Sequence, residues 1–463
     1  MIPTHNFYIN GGISDTVASV VAMLLMLCAI LGMLSVSRRR MVVPFLLGAL
    51  LIPGGNIFVL SGIHLTPVRV LVLAGWAIIA VTGGANRKTP MTGIDKAVLW
   101  WVVVTAIAVT LQWMSVSAIV NQAGIMVNTV GAYFLIRQLL ATDEDAELAV
   151  KVLIVVGAIN ALGMAYEIAA TRNLFGIYIG GVQPVPLVRM GKTRAQGVFQ
   201  HAILAGAYGA TLVPLCLWLW RSRQARLMAL LGGIVGTVMT LLSASSTPVM
   251  AYMGWIVAIC IWPLRKNMQI LRRTIACVLI GLHLVMKAPV WFLIARIDVI
   301  GGSASFDRAY LIDTCIRHFS EWWLLGTHDT GSWGWSMWDL SNQFVSVAET
   351  GGLAALVFFI LIFTRCFNKI GAARKACGND MQAQWSLWFV GAALYAHVMA
   401  YFGVSYFDQM QVSWLVLLAM ISVVTAVAVP EQVPATVPSI AKRSLSWRRA
   451  HTELVNVRLW STP

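Results

Sequence analysis

Charge is scarce in this 463-residue sequence: 11% of residues are Asp, Glu, Lys or Arg, against about 25% in a soluble globular chain. That shortage, beside a hydrophobic content of 59%, excludes a soluble enzyme. Acidic groups are the scarcer kind, with 18 Asp and Glu against 33 Lys and Arg. The seven cysteines form neither a CxxC metal pair nor a disulfide framework. The chain also has no GxxxxGK[ST] phosphate loop, no HExxH, no GxSxG elbow and no DxD in an outer loop. These absences argue against a nucleotide-driven pump and a metal-held nucleotide sugar, so no cofactor and no metal are expected. Paired ionisable groups are missing from the apolar stretches too. Glu167, His283, Lys287 and His397 are scattered near their ends, which fits an ion-coupled transporter poorly.

What is abundant is uninterrupted apolar sequence. Thirteen such stretches run from 17–36 to 412–429, and a helix of about 20 apolar residues crosses the roughly 30 Å hydrocarbon layer. The expected fold is therefore all-α, a polytopic transmembrane bundle of about 12–13 spans with a large, partly helical periplasmic loop. The first stretch is followed, not preceded, by basic residues (Ser37 to Arg40), which places the N-terminus outside. With that orientation most Lys and Arg fall in inner loops, among them RSRQAR (221–226), RKNMQILRR (265–273) and the tail. The net charge of +15 is thus a topology signal, with membrane lipids and not nucleic acid as its counterpart. The expected organisation is a bundle over 1–296 that includes an outer loop at 171–201, a large outer loop over 297–351, C-terminal spans over 352–429 and a basic cytoplasmic tail over 430–463.

Nine basic residues run against this bias: Arg69, Arg172, Arg189, Lys192, Arg194, Lys287, Arg296, Arg308 and Arg317. Any one of them can be a side chain reaching for a lipid phosphate. The clusters at Arg189–Arg194 and Arg308–Arg317 are harder to explain that way and point to an anionic ligand at the outer face. The second large loop opens with SFDRAYLIDTCIRHFSEWWLLG (305–326), whose aromatic residues recur at helical spacing, as in a helix lying in the membrane interface. It continues with a glycine- and tryptophan-rich segment holding Trp333, Trp335 and Trp338. These tryptophans suit either an interfacial belt or stacking on sugar rings.

Three segments resemble the O-antigen ligase and polymerase superfamily, the WaaL-type ligases and Wzy-type polymerases. RAQGVFQHAILAGAY (194–208) is similar to a family segment in which an Arg, a Gly-x-Phe and a His or Asn lead into a span. FDRAYLID (306–313) resembles the Arg-bearing start of the large loop's helix. In SNQFVSVAETGGLAA (341–355), Asn342, Glu349, Gly352 and Ala355 fall in register with a family element, while Ser341 stands where the ligases carry a histidine. That departure shifts the reading from ligase toward polymerase.

The resemblance implies a metal-independent glycosyltransferase of the bacterial inner membrane with its active loops in the periplasm. Its substrate would be an undecaprenyl-pyrophosphate-linked glycan, its acceptor a second glycan, and its partners chain-length regulator or flippase proteins. It would polymerise repeat units of an exopolysaccharide or O-antigen. The alternatives are ligation to lipid A core or another acceptor, and a lipid-linked glycan flippase or exporter without chemistry. Arg194 and Arg308 would bind the pyrophosphate, with Arg69 and Arg189 as further candidates. Asp339 would be the base, with His201 and His328 as alternatives. Trp335, Trp338, Asn342 and Glu349 would contact glycan, although Asp339 and Asn342 also suit helix N-caps.

Overall fold

The computed structural model of the protein describes residues 15–60, 62–82, 90–296, 304–334, 337 and 340–427. The described chain is helical apart from two short antiparallel hairpins, β1 (Phe58–Leu60) with β2 (Ile63–Leu65) and β3 (Leu187–Arg189) with β4 (Lys192–Arg194). The helices are α1 (Val20–Ser35), α2 (Val42–Leu51), α3 (Pro67–Val81), α4 (Gly93–Trp113), α5 (Val116–Met126), α6 (Ala132–Leu139), α7 (Asp143–Ala170), α8 (Leu174–Tyr178) and α9 (Ala202–Leu219). There follow α10 (Arg226–Leu242), α11 (Ser246–Cys260), α12 (Met268–Val285), α13 (Ala304–Arg317), α14 (Phe319–Trp322), α15 (Gln343–Ala376), α16 (Met381–Tyr401) and α17 (Asp408–Val427). Local sequence sets many of the starts. Thr92 with Asp95 and Thr142 with Asp145 form reciprocal capping boxes, and Thr66 caps α3 ahead of Pro67.

Eight helical stretches are long and apolar enough to cross a membrane: α4, α5 through α6, α7, α9, α10 with its leading turn, α12, α15 and α17. The chain is in that respect a multi-pass helical membrane protein. Each of the thirteen apolar stretches holds a helix, but α1, α2, α3 and α11 are shorter. The expected span at 42–60 is corrected most. α2 has 10 residues, a rise of about 15 Å at 1.5 Å each, half the hydrocarbon thickness. Pro53 has no N–H to continue the helix and disfavours a helical Ile52, whose ψ is 118°. The irregular 52–57 segment that follows is largely buried, so its polar groups need partners inside the protein. Asn56 Nδ2 donates to Pro53 O and Gly180 O, and Gln409 Nε2 donates to Ile52 O.

The centre of the bundle is α9 and α17, apolar all round and almost entirely buried. α9 crosses α10 closely, because a Cβ on Gly209 would come within 2.5 Å of Gly236 O. α12 is the opposite case, with none of its residues buried.

The connections sort onto two faces. On one, Arg137 pairs with Asp95, Arg221 with Asp143, and Arg374 donates to Gln384 and to Arg265 O. On the other meet the 52–57 segment, the β3–β4 region, the α10–α11 turn, the α13–α14 segment and the α16–α17 connection. α15 begins at Gln343, inside the segment expected as the large loop, and continues past residue 351. α15 is interrupted at Gly352, whose φ of 74° and close approach to Leu324 O exclude a side chain. Leu353 N–H donates to Trp323 O at this break, and Gln112 of α4 donates to Thr350 O.

Candidate functional site

The site is built on a clamped loop. Between β4 and α9, the backbone N–H groups of Gln196 and Gly197 donate to the Glu167 carboxylate at 3.1 and 2.9 Å, and that of Val198 donates to Asn160 Oδ1 at 3.0 Å. Asn173 Nδ2 donates to Gly197 O at 2.7 Å. All three anchors are at least 99% buried, and together they hold a turn in which Gly197 has φ 58°. Phe199 is fully buried behind it. These contacts account for the Gly-x-Phe of the 194–208 segment. The glycine provides the left-handed turn and room for Asn160, and the phenylalanine locks the turn into the core.

The clamp points Arg194 inward. Its Nη2 donates to Ser245 Oγ at 3.1 Å, while its Nε is buried without a hydrogen-bond partner. Burial first, and the Arg189 charge second, lower its affinity for its proton. Arg308, buried on α13, donates through Nη1 to Ser246 Oγ at 3.2 Å and through Nη2 to Thr247 Oγ1 at 2.6 Å. Thr247 Oγ1 in turn donates to Gly403 O. Two arginines more than a hundred residues apart in sequence therefore converge on three consecutive hydroxyls. Ser245 is the N-cap residue of α11 but does not cap it, and Ser246 and Thr247 form its first turn. The positive end of the helix axis thus adds to two buried guanidinium groups.

His201 lies at the N-terminus of α9, where its Nδ1 accepts from Ile203 N–H at 3.2 Å. With Nδ1 so engaged, the neutral ring carries its proton on Nε2 and presents a donor. Burial, then the Arg194 charge, push its pKa down to about 4. The α16–α17 connection closes this side. Arg308 packs on Gly403, Asp408 places its carboxylate against Gly54, and Gln409 Nε2 donates to Val198 O.

No protein-family model matches the chain, and no curated protein matches it. The arrangement therefore has to be read from its own geometry.

Of the residues nominated from sequence, Arg194, Arg308 and His201 come together, and the exposed Arg189 adds its field. Arg69 is held elsewhere, donating to His64 O and to Asn128 Oδ1 with its guanidinium against Gly124 of α5. His328 is exposed and packs on Trp113 at 5.0 Å. Asn342 is an N-cap, accepting from Phe344 and Val345 N–H. Glu349 is 1% exposed, with both carboxylate oxygens lacking a hydrogen-bond partner, one turn beyond the Val345 face that packs with Cys315 of α13. Burial pushes the Cys315 thiol up to about 12, so it stays protonated and is no nucleophile. Asp339, Trp335 and Trp338 lie outside the described residues.

The interface helix expected over 305–326 is two helices, α13 and α14, broken at His318. α13 turns its aromatic side outward, with Phe306 55% exposed, and buries Arg308 and Asp313. Sequence reasoning missed the 245–247 hydroxyls, the Glu167–Asn160–Asn173 clamp and Asp408. Glu167 had a signal, as a carboxylate in an apolar stretch. The run Ser243–Thr247 reads only as a turn.

Proposed function

We propose that the protein is a membrane glycosyltransferase that polymerises polyprenyl-pyrophosphate-linked repeat units of a bacterial surface polysaccharide at the outer face of the inner membrane. One observation carries the reading, the convergence of Arg194 and Arg308 on Ser245, Ser246 and Thr247 at the N-terminus of α11. In such a transfer a glycan hydroxyl attacks the anomeric carbon of a sugar whose leaving group is the lipid pyrophosphate. Negative charge grows on the departing oxygens. Two buried guanidinium groups and a helix N-terminus are fixed positive partners for that charge.

A carboxylate is needed to take the acceptor proton. Among the described residues we assign this to Asp408, which borders the same connection that Arg308 contacts. Asp339 is the sequence's own candidate. His201 donates a hydrogen bond from Nε2 to substrate oxygen. The 12–13 spans, the cytoplasmic tail and the outer location of this face follow from the distribution of basic residues and belong to the same proposal.

The test is reconstitution of the full chain in proteoliposomes with a synthetic lipid-linked repeat unit. Polymer should form without added metal or nucleotide, with release of polyprenyl pyrophosphate. Arg194→Lys and Arg308→Lys keep the charge but lose the bidentate fork, and each should lower the rate by about 10²-fold at unchanged protein level. Wild-type rates in both would overturn the assignment. Transfer only to a lipid A core acceptor would make the protein a ligase.

A further inference from the structure

The face opposite the candidate site carries a cavity, and the geometry points to a binding site there for one anionic phospholipid, headgroup and acyl chain together. The cavity encloses about 300 Å³ between the C-terminal end of α9 and the N-terminal end of α16. Arg221 and Arg226 line it, with their guanidinium groups over the Trp218 and Trp220 rings at 4.2 and 5.9 Å. Trp385, Ser386 and Gln382 close the α16 side. Two lining residues hold polar atoms that nothing in the protein satisfies. Trp218 is 0% exposed with no partner for its Nε1–H, and Ser386 is 6% exposed with no partner for its Oγ. Buried donors without partners are uncommon, and both of these belong to residues that border the cavity. Arg221 also pairs with Asp143 at 2.7 Å and Glu147 at 3.6 Å, whereas Arg226 makes no ion pair among the described residues. The uncompensated cation favours an anionic over a zwitterionic headgroup.

A neighbouring groove says what the rest of the ligand is. This groove, about 420 Å³, shares Leu217 and Trp220 with the cavity and continues between α9, α10 and α11. It extends along α9 from Trp220 to Val213, roughly 10 Å at 1.5 Å per residue. Its walls are apolar, and the one polar pair bordering it, Thr237 with Tyr252, is satisfied internally at 2.9 Å. Ile234, 53% exposed on its rim, opens it toward the bilayer. A pocket bearing two arginines and joined to an apolar channel is the shape of a lipid. A soluble phosphate would have no use for the channel.

The experiment uses the full-length protein purified in detergent and stripped of lipid. Palmitoyl-oleoyl phosphatidylglycerol should give a single retained adduct in native mass spectrometry and raise the unfolding temperature. The phosphatidylcholine of the same chains should do neither. Arg226→Gln removes the uncompensated charge. Gly233→Leu fills the channel, since a Cβ there meets nothing within 4 Å. Each should cut adduct occupancy by about tenfold, with unfolding in lipid-free detergent unchanged for Gly233→Leu. Equal adducts of the two lipids, or wild-type occupancy in both variants, would overturn the proposal. So would stabilisation by glycerol 3-phosphate alone that Gly233→Leu leaves intact, since that would make the site one for a free phosphate. None of these outcomes depends on the transferase reaction.

Discussion

Two side chains separate position from chemistry at the residue scale. Asp408 starts α17 with φ 48°, a left-handed conformation that most residues avoid, and its carboxylate lies against Gly54. If it takes the acceptor proton, Asp408→Asn should abolish polymer formation in proteoliposomes while the variant still unfolds near the wild-type temperature. Retained activity there, with loss in Asp339→Asn, would move the role to Asp339. His201 makes a pH prediction. Its folded pKa of about 4 lies below the ordinary 6.5, so between these values the unfolded chain binds a proton that the folded chain does not. Stability therefore has its full value above pH 6.5 and declines as pH falls toward 4. His201→Asn keeps an N-cap acceptor for Ile203 N–H and removes the titration. The unfolding temperature of the wild type should drop more between pH 7 and pH 5 than that of His201→Asn, and parallel drops would refute it.

At the scale of elements, the α7–loop–α9 unit shows how a span can aim a loop. Glu167 and Asn160 project from a membrane-crossing helix and satisfy three backbone donors of the segment carrying Arg194. Glu167→Ala would leave two buried N–H groups without partners, at a cost of about 1–3 kcal/mol each. Gly197→Ala would force a Cβ to 2.8 Å from Asn160 Oδ1 at φ 58°, a cost of about 1–3 kcal/mol. Both variants should unfold at lower temperature and lose product because Arg194 is no longer aimed, while Gly191→Ala, in the open β3–β4 turn, should lower stability without lowering the rate per folded molecule. The 194–208 motif was legible because its residues are adjacent in sequence. Its clamp was not, because Asn160 and Glu167 belong to another helix and nothing in their local pattern names the segment they hold.

The whole molecule divides its chemistry between two faces. The Arg137–Asp95 and Arg221–Asp143 ion pairs and the tryptophan–arginine contacts occupy one, and the Arg194–Arg308 convergence occupies the other, where α13 also carries an Arg317–Asp313 ion pair. In a cysteine-free background, Val188→Cys on the exposed β3 should react with an impermeant maleimide in intact cells, and Gln224→Cys only after permeabilisation. The reverse pattern would invert the orientation. In the deletion strain, single repeat units should still be made and exported while long polymer disappears. Long chains stranded on the carrier lipid would instead identify a ligase.

The sequence by itself determined that the chain is a helical membrane protein, where its apolar helices lie, and which arginines run against the charge bias. Those properties are local. A run of apolar residues forms a helix in lipid because its backbone groups have no other partner, and unexpected charge is visible wherever it occurs. Tertiary structure alone decided that α13 faces its aromatics outward and that α12 is left uncovered. It also decided that Arg194 and Arg308, rather than Arg69, share one site. Each of these depends on which helices become neighbours, and in a bilayer that choice follows from close packing and buried hydrogen bonds between distant residues, not from hydrophobicity, since lipid and leucine are equally apolar. Ser245, Ser246 and Thr247 form an unremarkable turn in the sequence and become a meeting point only when α9, α11 and α13 are brought side by side.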